Sequence, residues 1–562
     1  MFPALMCILM LASPGCKKQS GTQTGSSTAN SPSGEPWFEE IAQERGLTFR
    51  HESPVSDRYL LPETIPGGAA LLDIDNDGDL DVYFIQSGQV LGAVDEQPAN
   101  QLFENLGDAT FRNITEKSGL GDRGYGMGVA CGDYDNDGDV DVYITNLGAN
   151  VLYQNQGDGT FVDVTNYAGV GHEGWGTSAA FLDFDRDGDL DLFVCNYVKW
   201  SLQVEIECYN AQGARDYCSP GNYDLPSADV LYRNNGDGTF TDVSDESGVA
   251  LAFGNGLGVV GSDFNNDGWI DIFVANDTNP DHLWINQKNG TFLERGLFSG
   301  CALDQEGIAK AGMGVTVGDI DFDGDFDLMV GNLAKESDSL FLNDNGFFTD
   351  GTIRYGLSSI SRRFTRFGMG WVDFDNDGRL DLFQATGRVV RQETAYGTDP
   401  YAEPNLLFQG MGNSRFEERL PRGGIDTPTA RNSRAVVFGD IDNDGGIDLL
   451  IINQMNQVHL LRNIAPQRGN WLSLRILDEN QRDAYGAIVS MTIGEKTIRQ
   501  EVRAAYSYLS SNDPRVHIGL GKEERVTNVT VIWPDGTGSE FGEIQANQFR
   551  TLNRLDSRES AD

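Results

Sequence analysis

A nine-residue run, Asp133-Tyr134-Asp135-Asn136-Asp137-Gly138-Asp139-Val140-Asp141, sets five carboxylates side by side and leads straight into apolar Val142-Tyr143-Ile144. The same pattern starts again at Asp73, Asp183, Asp263, Asp319, Asp373 and Asp440, with successive starts 60, 50, 80, 56, 54 and 67 residues apart. One short unit written seven times is the mark of a repeat architecture. Carboxylates this close repel one another unless a cation neutralises them, and a hard divalent ion with oxygen ligands does so best.

The unit around this run predicts four strands. Gly126–Cys131 reads as a buried first strand ending at the acidic loop. Val140–Thr145 and Asn150–Asn155 follow as second and third. Gly157-Asp158-Gly159-Thr160 is a hairpin turn, since Gly supplies the positive φ that such turns need, and Phe161–Thr165 is a fourth strand. Four antiparallel strands in about 50 residues is the size of a propeller blade. Fourth-strand signatures begin at Phe111, Phe161, Phe240, Phe292, Phe348 and Phe416, one fewer than the loops. Phe38–Ala42 near the start has the same form, so it is expected to complete the last blade and close the ring. The expected fold is all-β: a seven-bladed β-propeller over 37–467, then a small β domain over 468–557 and a tail at 558–562 that frays after Leu555. In the second domain Trp471–Leu477, Ile488–Ile493, Thr497–Val502, Val516–Leu520 and Val526–Trp533 are candidate strands.

Ahead of the repeats, residues 1–16 read as a leader, with Phe2–Ala12 apolar but too short to span a bilayer. Leu11–Cys16 resembles a bacterial lipoprotein processing site, which would make Cys16 the lipidated residue. Residues 17–36 are mostly Gly, Ser, Thr, Gln and Pro, a flexible tether. Export followed by lipid anchoring at the cell envelope, or otherwise secretion, is the expectation. In an oxidising compartment Cys208 and Cys218 form a disulfide candidate. The net charge of −44 argues against a nucleic-acid partner.

Numbering each loop one to nine, oxygen ligands are expected from positions one, three, five and nine and from the carbonyl at seven. In the first two loops these are Asp73, Asp75, Asp77, Asp79 and Asp81, then Asp133, Asp135, Asp137, Asp139 and Asp141. The third has Asp183, Asp185, Asp187, Asp189 and Asp191, and the fourth Asp263, Asn265, Asp267, Trp269 and Asp271. The fifth has Asp319, Asp321, Asp323, Asp325 and Asp327. The last two have Asp373, Asp375, Asp377, Arg379 and Asp381, then Asp440, Asp442, Asp444, Gly446 and Asp448. Position twelve of the second loop is Ile144, inside a strand, where an EF-hand would need a bidentate acid. Calcium, up to seven ions, is therefore the expected cofactor, in strand–loop–strand sites that brace the fold. Asn265 makes the fourth loop the weakest site.

Asp-x-Asp-x-Asp-Gly-x-x-Asp between strands resembles the FG-GAP, or integrin-α-like, repeat, and the longer unit through Leu152–Asn155 and Gly157–Phe161 is similar to its bacterial VCBS-type version. Asn470-Trp471-Leu472, Tyr485-Gly486-Ala487, Tyr506–Ser510, Val516–Gly521 and Trp533–Gly536 resemble the ASPIC/UnbV domain. The whole layout resembles the cartilage-acidic-protein-like family. That resemblance implies a secreted or surface calcium-binding protein used in adhesion or matrix contact, and it implies no reaction.

Strand direction puts the acidic loops on one face. The long inserts 87–99, 197–228, 388–404 and 421–433 fall on the other, where a protein or glycan partner would bind. No Gly-x-Ser-x-Gly elbow, P-loop or tight His spacing occurs among the five histidines, so no catalytic residue is assigned. The alternative reading is a secreted enzyme or biosynthetic accessory protein with a site at the channel mouth. Ions bound only by the folded chain add to its stability, each by about 2.7 kcal/mol at a hundredfold excess over its Kd. Excess EDTA should therefore lower the melting temperature substantially, and an unchanged melting curve would refute structural calcium.

Overall fold

The computed structural model describes residues 34–556, except 393–395, 413 and 427–429, together with the backbone of 558–559. Seven four-stranded antiparallel sheets follow one another along the chain, the second and third joined edge to edge where Leu147–Ala149 pairs with Glu173–Trp175. Their first strands are Ala69–Leu72, Gly126–Gly132, Glu173–Leu182, Gly256–Ser262, Val315–Gly318, Arg366–Val372 and Ser433–Gly439. Each packs against the next, and the seventh packs against the first, so the sheets form a closed propeller around a channel. Apolar residues from neighbouring sheets interlock between the blades. Val260, Phe273 and Leu283 of the fourth meet Val315, Leu328 and Phe341 of the fifth, for example.

The chain's first strand, Phe38–Glu40, pairs antiparallel with His459–Asn463 and completes the last sheet. The clasp is more than a hydrogen-bond ladder. Phe38 is buried and meets Phe374 and Phe383 edge-on at 5.2 and 6.2 Å. Trp37 donates its N–H to the Gly424 carbonyl at 2.7 Å.

Residues 470–559 build two further sheets. One runs Val516–Gly521, Asn470–Leu477, Gln548–Asn553; the other runs Lys496–Glu501, Ile488–Ile493, Arg525–Ile532, Gly538–Gln545, Arg558–Glu559. The last two strands of the second sheet and Gln548–Asn553 were not legible as strands. In Gly538–Gln545 only Ser539 and Ile544 are buried, so no apolar alternation marks it. The expectation that everything after Leu555 frays is also corrected, because Arg558–Glu559 pairs with Ser539–Glu540.

A segment of this C-terminal region, Tyr506–Asp513, fills the channel. Ser510–Ser511 adds a parallel strand to Ala69–Leu72 of the first sheet. Ser507 exchanges both backbone hydrogen bonds with Val315 of the fifth, at 2.7 and 2.9 Å. Its hydroxyl donates to the Val436 carbonyl at 2.8 Å and accepts the Met369 N–H at 3.1 Å. The Leu509 N–H donates to Ser178 Oγ, and Asn512 Oδ1 accepts the Phe438 N–H. Glycines just ahead of two of the first strands leave room for this backbone. A Cβ on Gly68 would collide with the Leu509 carbonyl, and one on Gly314 would lie 3.0 Å from the Ser507 oxygen. At the tip, Tyr508 packs edge-on against Phe367 at 5.0 Å and donates its hydroxyl to the Ile65 carbonyl at 2.7 Å.

If the Phe38 clasp closes the ring, Phe38→Ala should cost about 3–5 kcal/mol, the usual range for emptying a buried aromatic site. Urea unfolding checks this, and a loss under 1 kcal/mol would mean that the clasp contributes little.

Candidate metal centres

Each acidic loop is shaped by its own carboxylates. Position four is left-handed in every copy, at φ between 54 and 63° for Asn76, Asn136, Arg186, Asn266, Phe322, Asn376 and Asn443. The glycine at six lies at φ 84–97°, a region where an L side chain would be strained. The aspartate at one accepts the N–H of six and, in six of the copies, that of five, as Asp133 does from Gly138 at 2.8 Å and Asp137 at 3.2 Å. In the third copy Asp183 takes the Arg186 N–H instead. Position five accepts the N–H of seven, as Asp77 does from Asp79. The aspartate at nine is a clamp. Asp141 Oδ2 accepts the Tyr134 N–H, and its Oδ1 accepts the Asn155 N–H from the third strand.

Positions one, three and nine converge. Ligand oxygens of Asp73, Asp75 and Asp81 lie within 4.8 Å of one another, as do those of Asp133, Asp135 and Asp141. Asp183, Asp185 and Asp191 do the same, as do Asp319, Asp321 and Asp327, and Asp373, Asp375 and Asp381. The fourth loop lacks the third carboxylate because Asn265 stands there. The carboxylates at five are not part of these groups, and the ligand expected at seven is a backbone carbonyl. Several are engaged elsewhere: Asp267 with Lys288 at 3.3 Å, Asp377 with Arg379, and Asp444 with both terminal nitrogens of Arg468 at 2.7 Å. At seven, the Asp79, Asp139, Asp189 and Asp325 side chains accept hydrogen bonds from the position-four asparagine of an adjoining loop.

The donor set fits a hard cation. Every candidate ligand is oxygen, and Oδ1 of Asp135, Asp321, Asp375 and Asp442 is buried with no hydrogen-bond donor. Burial of a charged group without a partner is costly, so these oxygens favour either a cation or a proton. Without a cation, burial pushes Asp81 and Asp327 up to about 8 and Asp133 up to about 7. Calcium takes six to eight oxygens in flexible geometry, and partly buried carboxylates with free oxygens match that demand.

A second set of residues was not legible as functional. Asn105, Asn155, Asn234, Asn286, Asn343 and Asn463 each donate from Nδ2 to two carbonyls, one in the blade's own loop and one in the loop before it. They staple neighbouring blades. The only sequence signal is an Asn at the same register of every third strand except the sixth, where Gly410 stands.

The C-terminal region covers this whole face. Arg475 approaches Asp73 at 3.6 Å. Asn480 reaches Asn136 at 3.2 Å, and Arg482 donates to the Gly188 carbonyl at 2.6 Å. Arg499 donates to Asn266 Oδ1 and to the Gly324 carbonyl. His517 meets Asn376 Oδ1 at 2.8 Å, and Arg515 donates to Asn443 Oδ1 and the Asp440 carbonyl, both at 3.0 Å. All seven loops are touched. The cations and donors settle on loop carbonyls and amides more than on the converging carboxylates, so they cap the loops and leave the grouped oxygens free. A cavity of about 380 Å³ remains at the seam, lined by Asp73, Asp79, Arg475, Asp483 and Arg515 among others.

On the opposite face the 197–228 insert carries the Cys208–Cys218 disulfide, with Cα atoms 5.2 Å apart. It arches across the channel mouth. Tyr217 donates to Glu63 at 3.1 Å and packs 6.0 Å from Tyr401 of the 388–404 insert, while Asp216 accepts the Arg391 N–H. The leader with Cys16 lies outside the described residues.

Comparison with known proteins agrees with this architecture. Residues 73–144, 133–194 and 263–330 match the FG-GAP-like repeat, and 477–559 match the family described as ASPIC and UnbV. Cartilage acidic protein 1 of Xenopus tropicalis is 27% identical over 296 residues, which is 50% of this chain and 42% of that protein. The Homo sapiens protein is 28% identical over 309 residues, 52% of this chain and 43% of that one. The chain thus spans less than half the length of the curated relatives it matches. Among solved structures, the BP39L lectin from Burkholderia pseudomallei superposes with a TM-score of 0.44 at 11% identity, over 72% of this chain and 97% of that one. A lectin of Agrocybe aegerita that recognises non-reducing terminal N-acetylglucosamine gives 0.36 at 15% identity, over 70% and 86%. Scores this low say nothing of what the chain binds.

The shifts fix a sign for the metal-free protein. A carboxyl held near 7 or 8 in the fold and near 3.8 in the open chain binds more protons when folded, so stability falls as pH rises. The contribution is full below the unfolded value and is lost progressively as pH climbs from about 4 through the folded values of 7 to 8. In EDTA, melting temperature is expected to fall between pH 5 and 8. With millimolar calcium the trend reverses, because protons and the ion compete for the same oxygens. Parallel pH profiles with and without calcium would sink the assignment of these loops as cation sites.

Proposed function

We propose that this chain, built of FG-GAP-like repeats with an ASPIC and UnbV tail, is an exported calcium-binding β-propeller that acts as a binding or adhesion module for a protein or glycan partner. Residues 1–16 serve as the leader and Cys16 as the lipid attachment, 17–36 as the tether, 37–467 as the propeller and 468–557 as its cap. Up to seven calcium ions brace the loops. The observation that carries this reading is the division of labour between the faces. Loop oxygens are committed to the cation groups, to neighbouring blades and to the C-terminal cap, which leaves the insert face free for a partner. Loops held on a rigid scaffold are where recognition concentrates.

The alternative, an enzyme or biosynthetic accessory protein at the channel mouth, finds less support. Glu63, whose carboxyl burial raises, lines the cavity there, but its oxygens already accept the Ser56 N–H and the Tyr217 hydroxyl. A general acid or base needs a free oxygen within reach of substrate.

Capture of surface glycans and proteins from intact cells by the full chain in calcium tests the reading. Leu202, Ile206 and Tyr209 are exposed on the 197–228 insert. Replacing them by Ser should abolish capture without shifting the melting temperature. Capture that survives these changes but is lost on substituting the acidic-loop face would overturn the reading.

A further inference from the structure

The insert face holds a cavity of about 290 Å³ at the channel mouth. It lies between the 55–64 segment, Tyr217 of one insert, Arg388, Arg391 and Tyr401 of another, and Arg434 and Met455 in and beside the seventh sheet. Its volume is near the lower end of small-molecule sites, which run from roughly 300 Å³ upward.

Arg434 is the anomaly. It is 1% exposed and lines this cavity. Its Nε donates to the Thr64 carbonyl at 2.8 Å, Nη1 to Asn432 Oδ1 at 2.6 Å and the Ser433 carbonyl at 3.0 Å, and Nη2 to the Arg388 carbonyl at 3.2 Å. The guanidinium stacks over Phe367 at 4.1 Å. All of these partners are neutral, and no ion pair among the described residues includes it. The other fully buried arginine, Arg366, shows the ordinary solution: Nε on Asp338 at 2.6 Å, with both side chains wholly buried. A buried charge is costly unless an opposite charge meets it.

The carboxylates nearby each have another partner, and none forms an ion pair with Arg434. Glu403 pairs with Arg388 at 2.9 Å and accepts the Thr365 N–H. Glu63 is held as described, and Asp399 accepts the Tyr401 N–H at 2.8 Å. Arg388 adds an unmet donor, since its Nε is buried with no acceptor, and Glu403 Oε1 beside it is likewise buried without a hydrogen bond. Three arginines, Arg388, Arg391 and Arg434, line this cavity against two carboxylates, Glu63 and Asp399, a local excess of cations in a chain of net charge −44.

We propose that this cavity binds a small carboxylate-bearing ligand, whose anion completes Arg434 and Arg388 while Tyr217 and Tyr401 flank its body. Guanidinium and carboxylate match in charge and in planar hydrogen-bond geometry. An acidic sugar and the free C-terminus of a peptide share this chemistry. The proposal rests on the reading of the insert face as the recognition surface.

Calorimetry on the full chain in calcium tests it with two pairs of probes: glucuronate against glucose, and N-acetylalanine against its amide. The charged member of at least one pair should bind, with the neutral member at least about tenfold weaker, the scale of one charge-assisted hydrogen bond. Which pair responds identifies the source of the carboxylate. Arg388→Gln should weaken binding by a similar factor. Because that change strands Glu403, a second variant, Val389→Trp, fills the cavity and leaves its charges in place; it should abolish binding at an unchanged melting temperature. Equal affinity for charged and neutral probes, or binding that survives Val389→Trp, would overturn the proposal. Failure of every probe at millimolar concentration while the full chain still captures cell-surface material would overturn this site and leave the wider reading standing. Loss of both would bring down the two together.

Discussion

The aspartate at position nine is the contact on which the repeat depends. It is almost fully buried in every copy, at 3% exposure or less. One oxygen holds the start of the acidic loop and the other holds the third strand, so a single carboxylate ties three strands at one corner. Such a group is expensive in isolation and stable only when hydrogen bonds and a nearby positive charge share it. Two backbone N–H groups supply the first need, and the converging oxygens at one and three call for a cation to supply the second. The sheet geometry, the loop and the ion site are therefore one solution to the same electrostatic problem.

The blades are not independent copies. Asparagines of the third strands and of position four reach into the adjoining loops, and the last of these, Asn443 to Asp79 at 2.7 Å, joins the seventh loop to the first. The ring of contacts is interrupted where Arg186 and Phe322 replace asparagine. Arg186 makes a different contact, lying 4.4 Å over Trp269 of the fourth loop. The C-terminal region then bridges all seven loops from outside and occupies the axis from inside. Propeller and tail form one packed body: Tyr485 and Ile518 share a core with Tyr134 and Leu192.

Much of this was legible because it repeats. The spacing of the acidic loops, the missing seventh fourth-strand and its replacement by Phe38 follow from patterns that recur. The disulfide was legible from two cysteines in one insert. What stayed hidden does not recur. Tyr506–Asp513 reads only as a domain motif, because nothing in a strand of Ser, Tyr and Leu reveals that its partners lie 71 to 443 residues away on several sheets. The asparagine staples were invisible for a different reason: an Asn among Asp-rich loops has no distinctive local signature, and its role depends on the neighbouring blade. The unpaired charge of Arg434 is a property of what surrounds it, which no single stretch encodes.

The N-terminal strand and the C-terminal region meet the ring in complementary ways. Phe38–Glu40 needs a strand more than four hundred residues downstream, and Ala69–Leu72 gains its inner neighbour only from Ser510–Ser511. Loop closure over such distances is entropically slow, and contacts of this kind lengthen folding. A chain emerging in order from a ribosome can form the middle sheets early, but its seventh sheet waits for His459–Asn463 to meet Phe38–Glu40, and its first sheet lacks its inner neighbour until the tail arrives. Their exposed strand edges are the hazard of that interval. The segment that fills the axis is thus also the timing signal of assembly: the molecule becomes a closed body only when its latest-made part has been threaded into its oldest.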